Sequence, residues 1–197
     1  MTDSAAGGDG MPAPDPGVSL VAGTFAIDDL DAFLADLDAI AADTGAVVQA
    51  FDADLVVSPT HLREAARLAA RAIARGEAVA RDPGVEVLLY AAGRRQIDRA
   101  LELGVSEGER AAVVLVADFG DVSGADRPSA DLDEATESVR ELAADSRTDP
   151  DDSGLPVDFD EERVREFYGV TDRELTATTG GLADVVRERV ALLDVEK

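Results

Sequence analysis

The sequence predicts an α+β domain: a small sheet of three or four strands covered by several helices, with more helix than strand. Three observations carry this. Arg110–Phe119 (RAAVVLVADF) is apolar almost from end to end, as a central strand is. Val18–Ala26 alternates loosely, and Ala46–Val57 is a second strand-like run. Around these lie several segments with apolar residues at helical spacing, most of them closed by glycine. Strands and helices in that order build one sheet with helices packed on it.

Met1–Gly17 holds four Gly and three Pro and no apolar period, which predicts a disordered tail. Residues 18–197 then form a single domain. After the first strand, Asp28-Asp29 cap a helix that runs to about Thr44. Leu30, Phe33, Leu34, Leu37, Ile40 and Ala41 share its apolar face, and Gly45 stops it. Ala46–Val57 follows, as one strand or as two pieces joined at Asp52. Ser58 is a good N-cap, and Pro59 sits at the first helical position, where its missing N–H costs nothing. That helix reaches about Arg75 and ends at Gly76, with Leu62, Ala65, Ala66, Ala69 and Ile73 on one face.

Val85–Ala92 suits a buried helix or a strand; helix is preferred, because Leu88, Leu89 and the alanines do not demand a sheet. A further helical run, Arg94–Leu103, starts after Gly93. Beyond the central strand, residues 120–157 carry eleven acids against three Arg, together with Gly, Pro and Ser. They predict an acidic surface insertion with a modest helix at Asp131–Ala144. Asp160–Tyr168 is a short helix closed by Gly169. Thr171-Asp172-Arg173-Glu174 is a capping-box arrangement. Gly180-Gly181 break the chain, and Leu182–Leu193 is the last helix.

The formal net charge is −24, and Lys197 is the one lysine among eighteen basic residues. So acidic a chain with so little lysine points to a high-salt cytoplasm and a halophilic source. There charge keeps the surface hydrated, and a Debye length of roughly 3 Å at 1 M salt makes self-repulsion tolerable. An acidic nucleic-acid mimic is the rival explanation. With no cysteine there is no disulfide, no thiolate nucleophile and no cysteine-ligated metal. No apolar run approaches the roughly 20 residues of a membrane span, and the N-terminus lacks an apolar signal core. A soluble cytoplasmic protein with no membrane contact is expected.

One region departs from the acidic background. Between Ser58 and Arg110 there are nine Arg and eight acids, a net of +1; the remainder carries nine basic residues and 34 acids, a net of −25. Arg63, Arg67, Arg71 and Arg75 recur four apart, opposite the apolar face of their helix. Like charges so spaced repel by roughly 0.2–0.5 kcal/mol per pair, so the helix gains nothing from them. They form either a solvated face or an anion site. Gly93 followed by Arg94 and Arg95 reads as a glycine opening a helix, whose free N–H groups favour an anion.

Catalytic chemistry finds few candidates. His61 is the only histidine, and no Gly-x-Ser-x-Gly serine stands ready as its nucleophile. Near a helix start it reads as a capping or surface group. Asp52 and Asp54 could mimic a metal pair, but with 42 acids in the chain close carboxylates arise by chance. Glu86 turns outward or pairs with an arginine such as Arg95. Tyr90 and Phe51 could stack on a base but read more readily as core. No P-loop lysine follows Gly180-Gly181. Neither cofactor nor metal is expected.

The pieces VVSPTHLREAARLAARAIARG and VEVLLYAAGRRQIDRALELG together resemble the small KEOPS subunit known as the TPRKB or PRPK-binding family. The residues carrying the resemblance are Ser58, His61, Leu62, Ala65, Ala69, Glu86, Tyr90, Arg95, Gln96, Ile97 and Ala100. Val185–Lys197 is similar to the family's closing helix. The likeness covers roughly Leu20–Lys197 with gaps, and Arg-Gln-Ile in its context is the most specific part.

The resemblance implies a non-catalytic subunit of the complex that makes threonylcarbamoyladenosine in tRNA. Such a subunit docks on an atypical kinase of the PRPK type and, through it, meets the threonylcarbamoyl transferase. It also binds the 3′ CCA end of tRNA. The residues expected to meet RNA are His61, Arg63, Arg67, Arg71, Arg75, Gly93, Arg94, Arg95 and Gln96. The alternative is a protein-only adaptor that regulates the kinase without touching RNA. An independent enzyme is the third and weakest reading.

Overall fold

The computed structural model describes residues 15–149 and 158–195. The elements in order are β1 (Val18–Ile27), α1 (Leu30–Thr44), β2 (Val47–Asp52), α2 (Pro59–Ala74), α3 (Pro83–Ala91), α4 (Ile97–Ala100), β3 (Gly108–Ala117), α5 (Leu132–Leu142), β4 (Ala143–Asp149), α6 (Glu161–Tyr168), α7 (Asp172–Ala177) and α8 (Leu182–Val195). This is α+β, with more helix than strand. Most of the expected tail lies at 1–14, outside the described residues, as do 150–157 of the acidic stretch. Among the described residues no helix is long and apolar enough to cross a membrane.

The four strands form one antiparallel sheet in the order β2-β3-β1-β4. β1-α1-β2 and β3-α5-β4 are therefore two interleaved split βαβ units, the ferredoxin-like arrangement. The central strand β3 decides the layering. Ala112, Val114 and Val116 point into a core shared with α1 and α5. Val113, Leu115 and Ala117 point into a larger core shared with α2, α3, α6 and α8. A strand buried on both faces reads as a continuous apolar run, which is how it appears in the sequence.

Local signals set most boundaries. Asp29 caps α1 through Ala32 N (2.9 Å), Ser58 caps α2 through His61 N (3.2 Å) and Asp131 caps α5 through Glu134 N (3.0 Å). α7 begins with the capping box of Thr171 and Glu174. α3 is buried on nearly all sides, Pro83 through Ala91, with Asp82 as its cap. Ala46–Val57 holds a single strand; it ends at Asp52, and Ala53–Leu55 form one 3-10 turn.

Two elements differ from expectation. β4 lies in the acidic stretch, where AADSRTD shows no apolar alternation. It pairs with β1 alone, so this edge strand needs no second buried face. The run after Gly93 is also not one helix. α4 has four residues and passes into a 3-10 turn at Leu101–Leu103. Gly93 closes α3 rather than opening the next helix.

Candidate functional site

The expected RNA-contacting residues lie in three places. His61, in the first turn of α2, is fully buried. Its Nε2 lies 2.8 Å from the Ala91 carbonyl, which can only accept, so Nε2 carries the proton. The Tyr168 hydroxyl donates to the same carbonyl at 3.0 Å. Ala91 ends α3, and its carbonyl lacks a partner within that helix. The two side chains satisfy it. Burial holds the imidazole neutral, with its pKa lowered to about 4; the Ala91 bond opposes the shift and Arg187 adds to it. His61 is thus an internal strut between α2, α3 and α6, not a surface group, and its ring is shut off from any large ligand.

The arginine stripe of α2 divides between internal partners and solvent. Arg63 donates to Val18 O at 2.7 Å, tying α2 to the start of β1. Arg67 lies 3.7 Å from Glu64, with its side chain 38% exposed. Arg71 pairs with Asp194 of α8, and Arg75 approaches the same carboxylate at 3.9 Å with its side chain 52% exposed. The Tyr90 hydroxyl also donates to Asp194, at 3.3 Å. Arg95 donates to the Leu193 carbonyl at 3.0 Å. Arg71, Arg75 and Arg95 therefore converge on the last turn of α8, where the helix dipole leaves carbonyl oxygens and partial negative charge. These cations offset the negative charge gathered at the end of the closing helix.

The turn after α3 has its own logic. Gly93 (φ 60) donates to Tyr90 O at 2.9 Å and Arg94 N donates to Leu89 O at 3.0 Å, the Schellman pattern, whose left-handed residue favours glycine. The backbone at Arg94 thus belongs to a helix C-terminus, not an N-terminus, and the expected free N–H anion site is absent there. Arg94 donates to Phe167 O, and its guanidinium lies 5.1 Å from the Phe167 ring centroid. Gln96 is exposed at the start of α4 and makes no capping bond. A cleft of about 480 Å³ opens beside the turn, lined by Leu55, Arg94, Arg99, Arg163 and Phe167 among others. A second, of about 180 Å³, is lined by Gly93, Arg94, Tyr168, Arg189 and Leu192 among others.

Sequence reasoning missed Arg99, Arg163, Arg189 and Asp194 in this neighbourhood. Arg163 bridges Asp52 and Asp54 at 2.8 and 2.5 Å, so the carboxylates read as a possible metal pair hold a guanidinium. Arg189 pairs with Glu174 at 2.7 Å. Glu86 is 1% exposed and, instead of Arg95, takes the backbone N–H groups of Val79 and Ala80 at 3.0 and 2.8 Å. Phe51 and Tyr90 are core. Among the described residues the site offers guanidinium donors, one aromatic face and exposed aliphatic side chains. The only imidazole pairs with a carbonyl and a phenol.

Two comparisons with known proteins bear on this arrangement. No curated protein matches the chain. The family model described as "Kinase binding protein CGI-121" matches residues 32–194, well over half its length, and the chain belongs to that family.

Proposed function

We propose that this kinase-binding protein is a non-catalytic subunit of the KEOPS tRNA threonylcarbamoyladenosine complex, docking on the atypical kinase and holding the 3′ CCA end of tRNA. The family match carries the kinase half. It spans α2, the arginine turn and nearly all of α8, so the whole basic island lies within the matched region. Through the kinase the chain reaches the transferase, in a cytoplasm whose salt its acidic surface suits.

The RNA half rests on side-chain chemistry. Counterion release falls by roughly 0.7 log units per phosphate contact per decade of salt for single strands, so charge contributes little at molar salt. Stacking, worth about 1–3 kcal/mol per base, survives. Arginine suits stacking because its guanidinium is planar, and Arg94 already lies over Phe167. Arg67, Arg75 and Gln96 are members of the expected set with accessible side chains, and Arg94, although bonded to Phe167 O, lines both clefts beside the turn.

One observation favours the adaptor reading without RNA: Arg63, Arg71 and Arg95 are spent on internal acceptors, and His61 is buried. Filter binding in molar KCl separates the two, comparing intact tRNA with tRNA lacking its terminal CCA. Binding lost on trimming, and lost in Arg67→Glu or Arg94→Glu, supports 3′-end recognition. Equal binding of trimmed tRNA refutes it, and no binding by the chain, alone or with its kinase, favours the adaptor. Arg71→Glu is a poor probe, since it places a second carboxylate against Asp194.

A further inference from the structure

The sheet ends in two edge strands, β2 and β4, and they are guarded differently. Asp118 N donates to Gly17 O at 2.9 Å, one step beyond the Val18–Ala117 pair, which fixes the phase of the whole ladder. By that phase Val48 and Ala50 of β2 turn their backbone groups to the free edge. Arg127 takes the adjoining Ala46 carbonyl at 2.8 Å, and the Gln49 side chain takes the Ala50 carbonyl at 3.1 Å. The cleft along this edge is walled by Leu34 and Leu37 of α1 and by Gly84 and Val85 of α3. β2 is thus closed off by side chains and helices. On β4 the same phase gives the bonds of Ala22 and Thr24 to Arg147 and Asp145, so Ser146 turns its N–H and C=O outward. The strand, AADSRTD, contains neither proline nor lysine, two common means of blunting an edge. Asp145 and Arg147 are exposed on one face of it, beside a cleft of about 230 Å³ over Ala22, Thr24 and Ala111.

We infer that β4 pairs with β4 of a second copy of this chain, antiparallel about a two-fold axis at Ser146, joining two sheets into one. Charge selects both the occupant and the register. Outward residues must meet outward residues, so the axis falls on a residue. At Ser146 it sets Asp145 opposite Arg147 of the second copy, and Arg147 opposite Asp145 of the second copy. These are the non-hydrogen-bonded positions, where Cα atoms approach to about 4.5 Å and side chains lie close. An axis at Asp145 or at Arg147 sets that residue against its own copy, like charge to like. An axis at Thr148 sets Ser146 opposite Pro150, which has no N–H to give. The strand is therefore its own complement, as a two-fold contact requires. Repulsion between two chains of net charge −24 is screened in molar salt, while backbone hydrogen bonds remain. The register shift between Thr24 and Phe25 shortens the straight part of β4. The pairing is accordingly weak, with a dissociation constant on the order of 0.1 mM. It requires neither kinase nor tRNA.

The test is sedimentation equilibrium of the full-length chain in molar KCl, from micromolar to millimolar concentration. The parent should pass from monomer to dimer across that range. Asp145→Arg and Arg147→Asp each turn both charge pairs into like charges, and each should weaken the dimer roughly tenfold. Mixed in equal amounts, the two variants set arginine against aspartate at both positions again and should associate as strongly as the parent. The double exchange in one chain should recover the dimer in the same way. Both sites are exposed, so melting temperatures should stay close to the parent's. Ser146→Pro removes the outward N–H, leaves the bonds to β1 in place and should abolish pairing. A parent that stays monomeric at millimolar concentration overturns the proposal. So does a dimer that both single exchanges leave at parental strength, or a mixture of the two no more associated than its components.

Discussion

His61→Gln is the sharpest perturbation of the buried scaffold, because one histidine can be followed without assignment. Burial lowers the His61 pKa from 6.5 to about 4 in the folded chain. Between those values the unfolded chain takes up a proton that the folded chain refuses. Stability therefore falls as pH drops through this window and levels off below it. The difference of about 2.5 pH units, at 1.36 kcal/mol each, corresponds to about 3 kcal/mol for this one group. His61→Gln removes the titration but keeps a donor near the Ala91 carbonyl. At pH 7.5 the variant should be less stable, by about 1–2 kcal/mol of lost packing and hydrogen bonding. Towards pH 4.5 the two proteins should converge or cross. Urea unfolding in molar KCl measures this, and the acids common to both proteins cancel in the difference. The ring protons of the single histidine should not titrate between pH 8 and 5.5 in the folded protein. A folded-state midpoint near 6.5, or parallel pH profiles for parent and variant, would refute a buried neutral His61.

Other consequences follow from the same contacts. Asp194→Asn should lower unfolding free energy by about 2 kcal/mol in urea, because Arg71 loses a largely buried counter-charge at the end of α8. Glu86→Leu should cost about 2–3 kcal/mol and speed amide exchange at Val79 and Ala80, whose N–H groups it leaves without their acceptor. Thermal midpoints should rise with KCl, since self-repulsion in a chain of net charge −24 weakens as the Debye length shortens; a flat salt profile would contradict the high-salt reading.

What the sequence revealed divides along a physical line. Caps, glycine stops and the two-sided apolar run of β3 are local, and they located most elements. β4 left only a faint mark, because an edge strand of AADSRTD has no buried alternation to display. Its trace is in β1, where a Cβ on Gly23 would lie 2.2 Å from the Asp145 carbonyl. A glycine within a strand pattern can mark such close backbone approach. Gly93 was misread because a glycine between two helical runs can close the first or open the second; only the bonds to Leu89 and Tyr90 decide. The arginine stripe was visible, but its purpose was not. Arg71 and Asp194 are 123 residues apart, and nothing local to α2 announces a partner in α8. The resemblance carried by Ser58, His61 and Arg95-Gln96-Ile97 reached the kinase-binding family, whereas periodicity alone stopped at an α+β domain.

Reconstitution of the modification reaction tests the central claim most directly. Purified kinase and transferase subunits would be assayed for threonylcarbamoyladenosine formation in molar KCl, with and without this chain. The account predicts no ATP hydrolysis and no tRNA modification by the chain alone. It predicts a 1:1 complex with the kinase and a clear rise in modification of CCA-ended tRNA when the chain is added. Turnover by the chain alone that is lost in His61→Gln, or a modification rate indifferent to its presence, would contradict the account.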